Sequence, residues 1–395
     1  MPIDRLSRAA DPPARGTRPH NRREITLQVA TELFARRGYP HVSMGDIARE
    51  MNVGASAIYR HFGSKSELLI ECIQIGIAPY QAIVDSAETL DEVLRRSAEC
   101  ALDHRALGVL WQREARNLGQ VDLRIIREQL SSVTRGLSRF IAEARPGIDR
   151  ADVELLAWCA MGAMVSIGFH SLTLPREEYV ELMVSITATV VNVDLQHDTE
   201  LAAGGPRLRD DDESRRDVLV SHATELFAER GYGAVGIDDI GDSVGIAGPS
   251  IYSHFESKQK LLAEAITRGN AVLRAEASVV LDARETPQIA LGRLVASFVG
   301  VAVHNRFVIR IVMSELDQLE PADREFARKE QREYIDTWTA LLREYSHLEP
   351  IPARITVQAV LLVVNDAVQT PNLRAQPGFE SRLREVAEAM LGLSD

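Results

Sequence analysis

Over residues 43–69, SMGDIAREMNVGASAIYRHFGSKSELL, the apolar positions Ile47, Val53, Ile58 and Phe62 are spaced so that two short helices bury their apolar faces against each other. Ala48 is small enough for close approach, and Asn52 falls at the turn, where a residue tolerant of left-handed backbone is favoured. Upstream, Ile25, Val29, Leu33 and Phe34 recur at helical spacing over 22–37, and Gly38 suits a C-terminal cap. Ser43 and Ser64 stand where they cap the helices that follow. The pattern thus predicts three short helices and the start of a fourth, longer one. The second helix of the pair leaves Ala55, Ser56, Ala57, Tyr59, Arg60 and His61 outside, small residues first and hydrogen-bonding or basic ones last.

Beyond Lys65 the periodicity is helical throughout, with no strand alternation. Breaks are expected near 76–79, 89, 105, 119, 146–149 and 174–176. The most apolar stretch, 151–172, carries apolar residues around most of its circumference and predicts a helix buried on more than one side. A polar segment with Gly204, Gly205 and Pro206 and an acidic run, 198–213, reads as a linker; its 16 residues span at most about 50 Å when extended. Further helices follow near 217–230, 237–254, from Lys258, and over 286–304, 306–317, 321–346, 352–368 and 377–393. The fold class is all-α.

The first stretch occurs twice. At an offset of 193 and without a gap, residues 23–73 lie over 216–266 with 23 identities in 51 positions. ATELFA recurs, IYRHFGSK is matched by IYSHFESK, and Gly245 stands for Asn52 at the turn. Helix one ending in LFARRGY, then S-x-x-x-I-A, then IYRHFGSKSELL resembles the DNA-binding domain of TetR-type transcriptional regulators, and the second copy resembles it too. The motif covers about 50 residues in each half; the remainder of each half matches the family in being helical and of suitable length. The resemblance implies two tandem units, each a three-helix DNA-binding head with a larger helical body that binds an effector and dimerises through its last two helices. Family members usually carry one unit and act as homodimers. The expected layout is a flexible basic arm (1–21), a first head (22–68), a first body (69–197), the linker (198–213), a second head (214–261) and a second body (262–395).

Charge changes the picture of the heads. The net charge of −12 is unusual for a DNA binder, but local patches govern contact. Residues 1–65 carry 11 Lys and Arg against 6 Asp and Glu, whereas 214–260 carry 5 against 7. The first head is the more conventional DNA binder. Arg5, Arg8, Arg15 and Arg18 suit a disordered tail or an arm that follows phosphates or enters a minor groove. No apolar run reaches the length of a membrane span and no signal-peptide pattern opens the chain, so a cytoplasmic protein is expected. Cys72, Cys100 and Cys159 lack metal or CxxC spacing and read as reduced core residues.

A helix in the major groove needs small residues where its backbone approaches base edges and polar or basic ones near phosphates. In the first head that selects Ala55, Ser56 and Ala57 for the groove and Arg22, Arg23, Ser43, Tyr59, Arg60, His61 and Lys65 for phosphates and edges. In the second it selects Gly248, Pro249, Ser250, Tyr252, Ser253, His254 and Lys258. Pro249 for Ser56 removes a hydroxyl, and Gly236 for Ser43 removes a side-chain cap. His222, opposite Val29, reads as a half-buried core position. In the bodies, RALGVLWQREARNL at 105–118 lies over RFVIRIVMSELDQL at 306–319, placing Glu114 on Glu315; each reads as an effector-pocket carboxylate or a surface ion-pair partner. Trp111, Phe140, Trp158, Phe169, Phe307 and Trp338 suit either an apolar effector cavity or core packing.

No HExxH, Gly-rich phosphate loop or GxSxG elbow is present, and neither an enzyme, a cofactor nor a metal is expected. The expected protein is a ligand-responsive repressor with an unidentified small-molecule effector of apolar character, no membrane partner and a double-stranded DNA operator. Its halves would pair as an intrachain pseudo-dimer on two half-sites that need not be identical, about 34–36 Å apart. Alternatives are a chain whose second head does not bind DNA and which homodimerises to present two first heads, and a ligand-binding or protein-interaction scaffold with relic helix-turn-helix elements.

Overall fold

A computed structural model describes residues 22–196 and 214–393. The basic arm (1–21) and the linker (198–213) lie outside the described residues. Every regular element among the described residues is helical. The chain divides into two compact units, Met1–Phe140 with Ile167–Leu172, and Ile141–Ser166 with Thr173–Asp395.

The first unit opens with α1 (Arg22–Arg37), α2 (Met44–Glu50) and α3 (Ala55–Tyr59), followed by α4 (Lys65–Ser86), α5 (Leu90–Asp103), α6 (Ala106–Val109) and most of α7 (Gln120–Ala144). Leu27, Leu33, Phe34, Ile47, Ile58, Phe62, Leu68 and Leu69 form the core of the head, each at most 3% exposed. α1 and α4 pack on each other along that core. The break expected at 76–79 does not occur. α4 runs through Pro79 because Cys72, Ile73, Ile77, Tyr80, Ile83 and Val84 are all buried, and packing outweighs one lost backbone donor. Gly76 is instead a contact point, its Cα so near Leu107 that a Cβ would come within 2.9 Å of Leu107 Cδ1. After α6 the helix widens into one π turn, Leu110–Glu114, and then tightens into a 3₁₀ turn, Ala115–Asn117.

The second unit starts with α8 (Arg150–Val165) and α9 (Arg176–Asn192) from the first half of the sequence. The second head follows as α10 (Arg215–Arg230), α11 (Ile237–Ser243) and the 3₁₀ segment Gly248–Ser253. Then come α12 (Lys258–Asp282), α13 (Pro287–His304), α14 (Arg306–Ser314), α15 (Pro321–Ser346), α16 (Pro350–Gln369), α17 (Pro371–Arg374) and α18 (Phe379–Met390). The helix expected near 377–393 is α18, entered through Gly378 at φ 67°, and the short α17 fills the stretch between it and α16. α8 packs on α9 and α16, and α18 on α9 and α16, so helices from both halves of the sequence share one core. Gly162 permits the close approach of α8 to α16, its Cβ position lying 3.7 Å from Val363 Cα. Arg382 donates to Asp152 at 2.8 Å, and the two side chains are 3% and 5% exposed. Arg382 also donates to the Pro377 carbonyl and to Gln376.

By length and composition four segments are long and apolar enough to cross a membrane, which corrects the reading from uninterrupted apolar runs: Lys65–Ser86, Arg150–Phe169, Pro287–His304 and Pro350–Gln369. Averaged hydropathy tolerates the few charges that end such runs. In this fold 50% to 67% of each stretch is buried against other helices. The three cysteines are free and buried, and burial pushes the thiols of Cys72 and Cys100 up to about 12.

Candidate nucleic-acid interface

Each head is built by the same local chemistry. Gly38 and Gly231 end the first helix at φ 81° and 80°, and Asn52 and Gly245 make the turn of the helix-turn-helix at φ 54° and 70°, all in the left-handed region. Ile58 and Phe62 in one copy, and Ile251 and Phe255 in the other, point into the core. That leaves Tyr59 and Tyr252 each 55% exposed. Around Tyr59, the side chains of Ala55, Ser56, Arg60 and His61 are exposed and Ala57 is half-buried. The face expected to meet DNA is therefore assembled in the first head.

Several residues assigned to phosphates are held by the protein itself. Lys65 donates its ammonium to the carbonyls of Tyr39 at 2.9 Å and Val42 at 3.0 Å, and lies 4.0 Å from the Tyr39 ring centroid. Lys258 repeats this on Tyr232 and Val235, both at 2.8 Å, with the ring centroid 3.9 Å away. Burial lowers both lysine pKa values, while the negative charges of Glu114 and Glu315 oppose the shift. Arg23 pairs with Glu71 and lies over the Phe62 ring; Arg216 pairs with Glu264, lies over Phe255 and donates to the His254 carbonyl. These clamps join the first helix to the fourth. The identity of both Arg and both Glu across the repeat was the signal that sequence reasoning left unused. Arg22 lies in the first turn of α1, where its carbonyl accepts from the Thr26 hydroxyl.

Ser43 caps α2. Its hydroxyl accepts from the Asp46 N–H at 3.1 Å and donates to the Asp46 carboxylate, which also accepts from the Ser43 N–H at 2.9 Å. Those bonds, with Arg49, hold the Asp46 carboxyl well below the usual range. In the second head Gly236 keeps only the backbone half of this box, at 2.6 Å to Asp239.

The second recognition segment differs more deeply. It is 3₁₀ rather than α-helical: Pro249 supplies no N–H, and the Ser253 hydroxyl donates to the Ser250 carbonyl at 2.7 Å, competing with the helical pattern. Gly248, assigned to the groove, is buried, because the Asp238 side chain occupies the space that a Cβ there would need. The first head has the reverse arrangement, Gly45 opposite the exposed Ala55. Pro249, Ser250 and Ser253 are exposed and His254 is half-buried. Asp242 stands where the first head has Arg49, and Arg230 is paired with Asp239 at 3.4 Å.

Both carboxylates equated across the bodies are buried, Glu114 at 3% and Glu315 at 0% exposure, which corrects the surface ion-pair reading. Glu114 Oε2 accepts from the Tyr39 N–H at 2.9 Å. Trp338 is sealed in an aromatic cluster with Phe298 and Tyr334, both centroids 6.0 Å away, and Phe140 is buried beneath Arg139. Trp111, Trp158, Phe169 and Phe307 keep part of their surface exposed.

The family model described as bacterial regulatory proteins, tetR family, matches at residues 27–72 and again at 219–265. The chain carries two tandem TetR-family DNA-binding domains. A transcriptional repressor of Mycolicibacterium smegmatis, KstR2, is similar at 32% identity over 33% of this chain and 64% of its own length, just under two thirds. The Mycobacterium tuberculosis KstR2 repressor is 28% identical over 46% of this chain and 90% of its own. Among solved structures, a TetR-family regulator from Bordetella parapertussis is 19% identical with a TM-score of 0.42, covering 45% of this chain and 94% of that one. The M. tuberculosis KstR2 structure is 24% identical with a TM-score of 0.36, covering 44% and 95%. The two matched stretches each span one helix-turn-helix, 44–62 in the first head and 237–255 in the second.

Proposed function

We propose that this protein is a ligand-responsive transcriptional repressor whose two TetR-family halves pair within one chain, with the first head as the principal reader of DNA. The observation that carries it is the first recognition helix, which buries Ile58 and presents Ala55, Ser56, Tyr59, Arg60 and His61 outward at the end of a head whose cations outnumber its acids. The Arg23 and Lys65 clamps serve DNA binding indirectly, by fixing α1 and the start of α4. The mixed core of α8, α9, α16 and α18 supports pairing of the halves, since α8 with α9 and α16 with α18 are the last long helices of each half, and the family resemblance implies dimerisation through the last two helices of each body. Partly exposed Trp111, Trp158, Phe169 and Phe307 support an apolar small-molecule effector in the bodies.

A second reading, in which the second head contributes little to DNA affinity, is favoured by Asp242 in place of Arg49, by Ser253 in place of Arg60, and by Asp238 beside the recognition segment. DNA selection with the full chain, repeated with Tyr59→Ala and with Tyr252→Ala and combined with the mass in solution, decides between them. A monomer selecting two unlike half-sites, each lost with one substitution, establishes the intrachain pseudo-dimer on DNA. A palindrome that ignores Tyr252→Ala establishes the second reading, with two chains meeting to bind. Failure to select any site, with no salt-sensitive retention on DNA, overturns both.

A further inference from the structure

Two buried carboxylates, one in each body, lie against the matching point of each head. Glu114 ends the π turn after α6, and its Oε2 accepts the Tyr39 N–H. The carbonyl of the same Tyr39 accepts from Lys65, the first residue of α4. One residue in the loop before the helix-turn-helix is thereby held on both sides: by the body through its N–H and by the long helix through its carbonyl. Arg113 Nε at 3.5 Å and the Asn117 side chain complete the surroundings of the Glu114 carboxylate. At the equivalent place, Glu315 is fully buried at the end of α14, with the Ser314 hydroxyl 3.4 Å away, and its charge acts on Lys258 and Tyr232. A buried carboxylate is retained only where its partners compensate its desolvation. For Glu114 the compensating partners come from both sides, the Tyr39 N–H of the head and Arg113 and Asn117 of the body. The aligned body segments 105–118 and 306–319 share few residues, yet both keep this one.

We infer that Glu114 is a positioning residue that holds the first head, through Tyr39, in the pose that reads DNA, and that Glu315, buried at the matching end of α14, is its counterpart for the second head. The inference rests on the DNA-binding reading above. A shift of the body segment that carries the carboxylate would loosen its own head and leave the other in place.

The test uses the full chain, the DNA selected by the unsubstituted protein, and the variants Glu114→Gln, Glu114→Ala and Glu315→Gln. Hydrogen exchange is followed segment by segment. Glu114→Ala leaves the half-buried Tyr39 donor without its carboxylate acceptor, so on the order of tenfold faster exchange over 38–51 is expected, with 231–247 unchanged and a loss of DNA affinity of similar size. Glu114→Gln keeps an acceptor for Tyr39 and gives a smaller change in the same segment, which also serves should the alanine variant fail to fold. Glu315→Gln moves exchange in the second head alone. Uniform acceleration across both heads and bodies, or unchanged exchange at 38–51, overturns the inference. If the unsubstituted protein selects no DNA, the functional reading falls while the exchange measurements still decide whether the carboxylates hold the heads.

Discussion

Replacing either member of the buried pair Asp152 and Arg382 should destabilise the second unit far more than replacing both. The two side chains meet at 2.8 Å and are 5% and 3% exposed, so neither charge has water to fall back on. Arg382→Met removes the guanidinium that donates to the buried Asp152, and Asp152→Leu leaves the guanidinium with Gln376 and the Pro377 carbonyl. Loss of one partner of such a pair costs about 3–5 kcal/mol, whereas replacement of both by apolar residues of similar volume is often neutral or stabilising. The expected order of urea midpoints is therefore Asp152→Leu and Arg382→Met well below the unsubstituted chain, with the double variant close to it. Unfolding should be followed by the near-ultraviolet signal of Trp158 and Trp338, both in this unit. Equal, additive losses in the two single variants and the double variant would refute the reasoning, because they would show that the charges do not depend on each other.

Two further outcomes follow from the geometry. Gly248→Ala should cost about 1–3 kcal/mol, as overpacking against Asp238, and Asp238→Gly combined with Gly248→Ala should recover it by restoring the arrangement of Gly45 and Ala55; urea midpoints of the three chains check this. Burial raises the Asp366 carboxyl from 3.8 to about 6, against the opposing effects of Trp158 and Arg310. The stabilisation tied to its protonated form is complete below the unfolded value of 3.8 and is lost as pH rises through 6, a change of about 3 kcal/mol, so Asp366→Asn should gain stability relative to the unsubstituted chain as pH climbs from 4 to 7. A pH-independent difference between the two chains would contradict that assignment.

Much of the head was legible in the sequence because its constraints are local. The bounds 22–37 of the first helix, the left-handed turn at Asn52 and Gly245, and the caps at Ser43 and Ser64 follow from neighbouring residues, and all appear in the structure. Long-range contacts were not legible. Lys65 reads as a phosphate ligand from its place beside Tyr59 and His61, but its ammonium meets carbonyls 23 and 26 residues upstream. Pro79 reads as a helix end, yet tertiary burial of Ile77 and Tyr80 carries α4 past it. Glu114 reads as a surface charge because its partner, the Tyr39 N–H, lies 75 residues away. The 3₁₀ form of the second recognition segment was half legible: Pro249 and Gly248 were visible departures, but the intrusion of Asp238 required the fold.

The contact of Asp152 with Arg382 joins a residue from the first half of the sequence to one from the second, and their surroundings are unlike. α9 carries no Lys or Arg after Arg176, and the first three turns of α16 contain no acid, so neither half offers a second version of the same bond. At a symmetric interface every substitution is felt twice, once on each side of the axis. Here it is felt once. Each half can therefore accept changes, such as Pro249 or Asp242, that an identical partner would have doubled, and the two copies differ in sequence and local structure within one molecule.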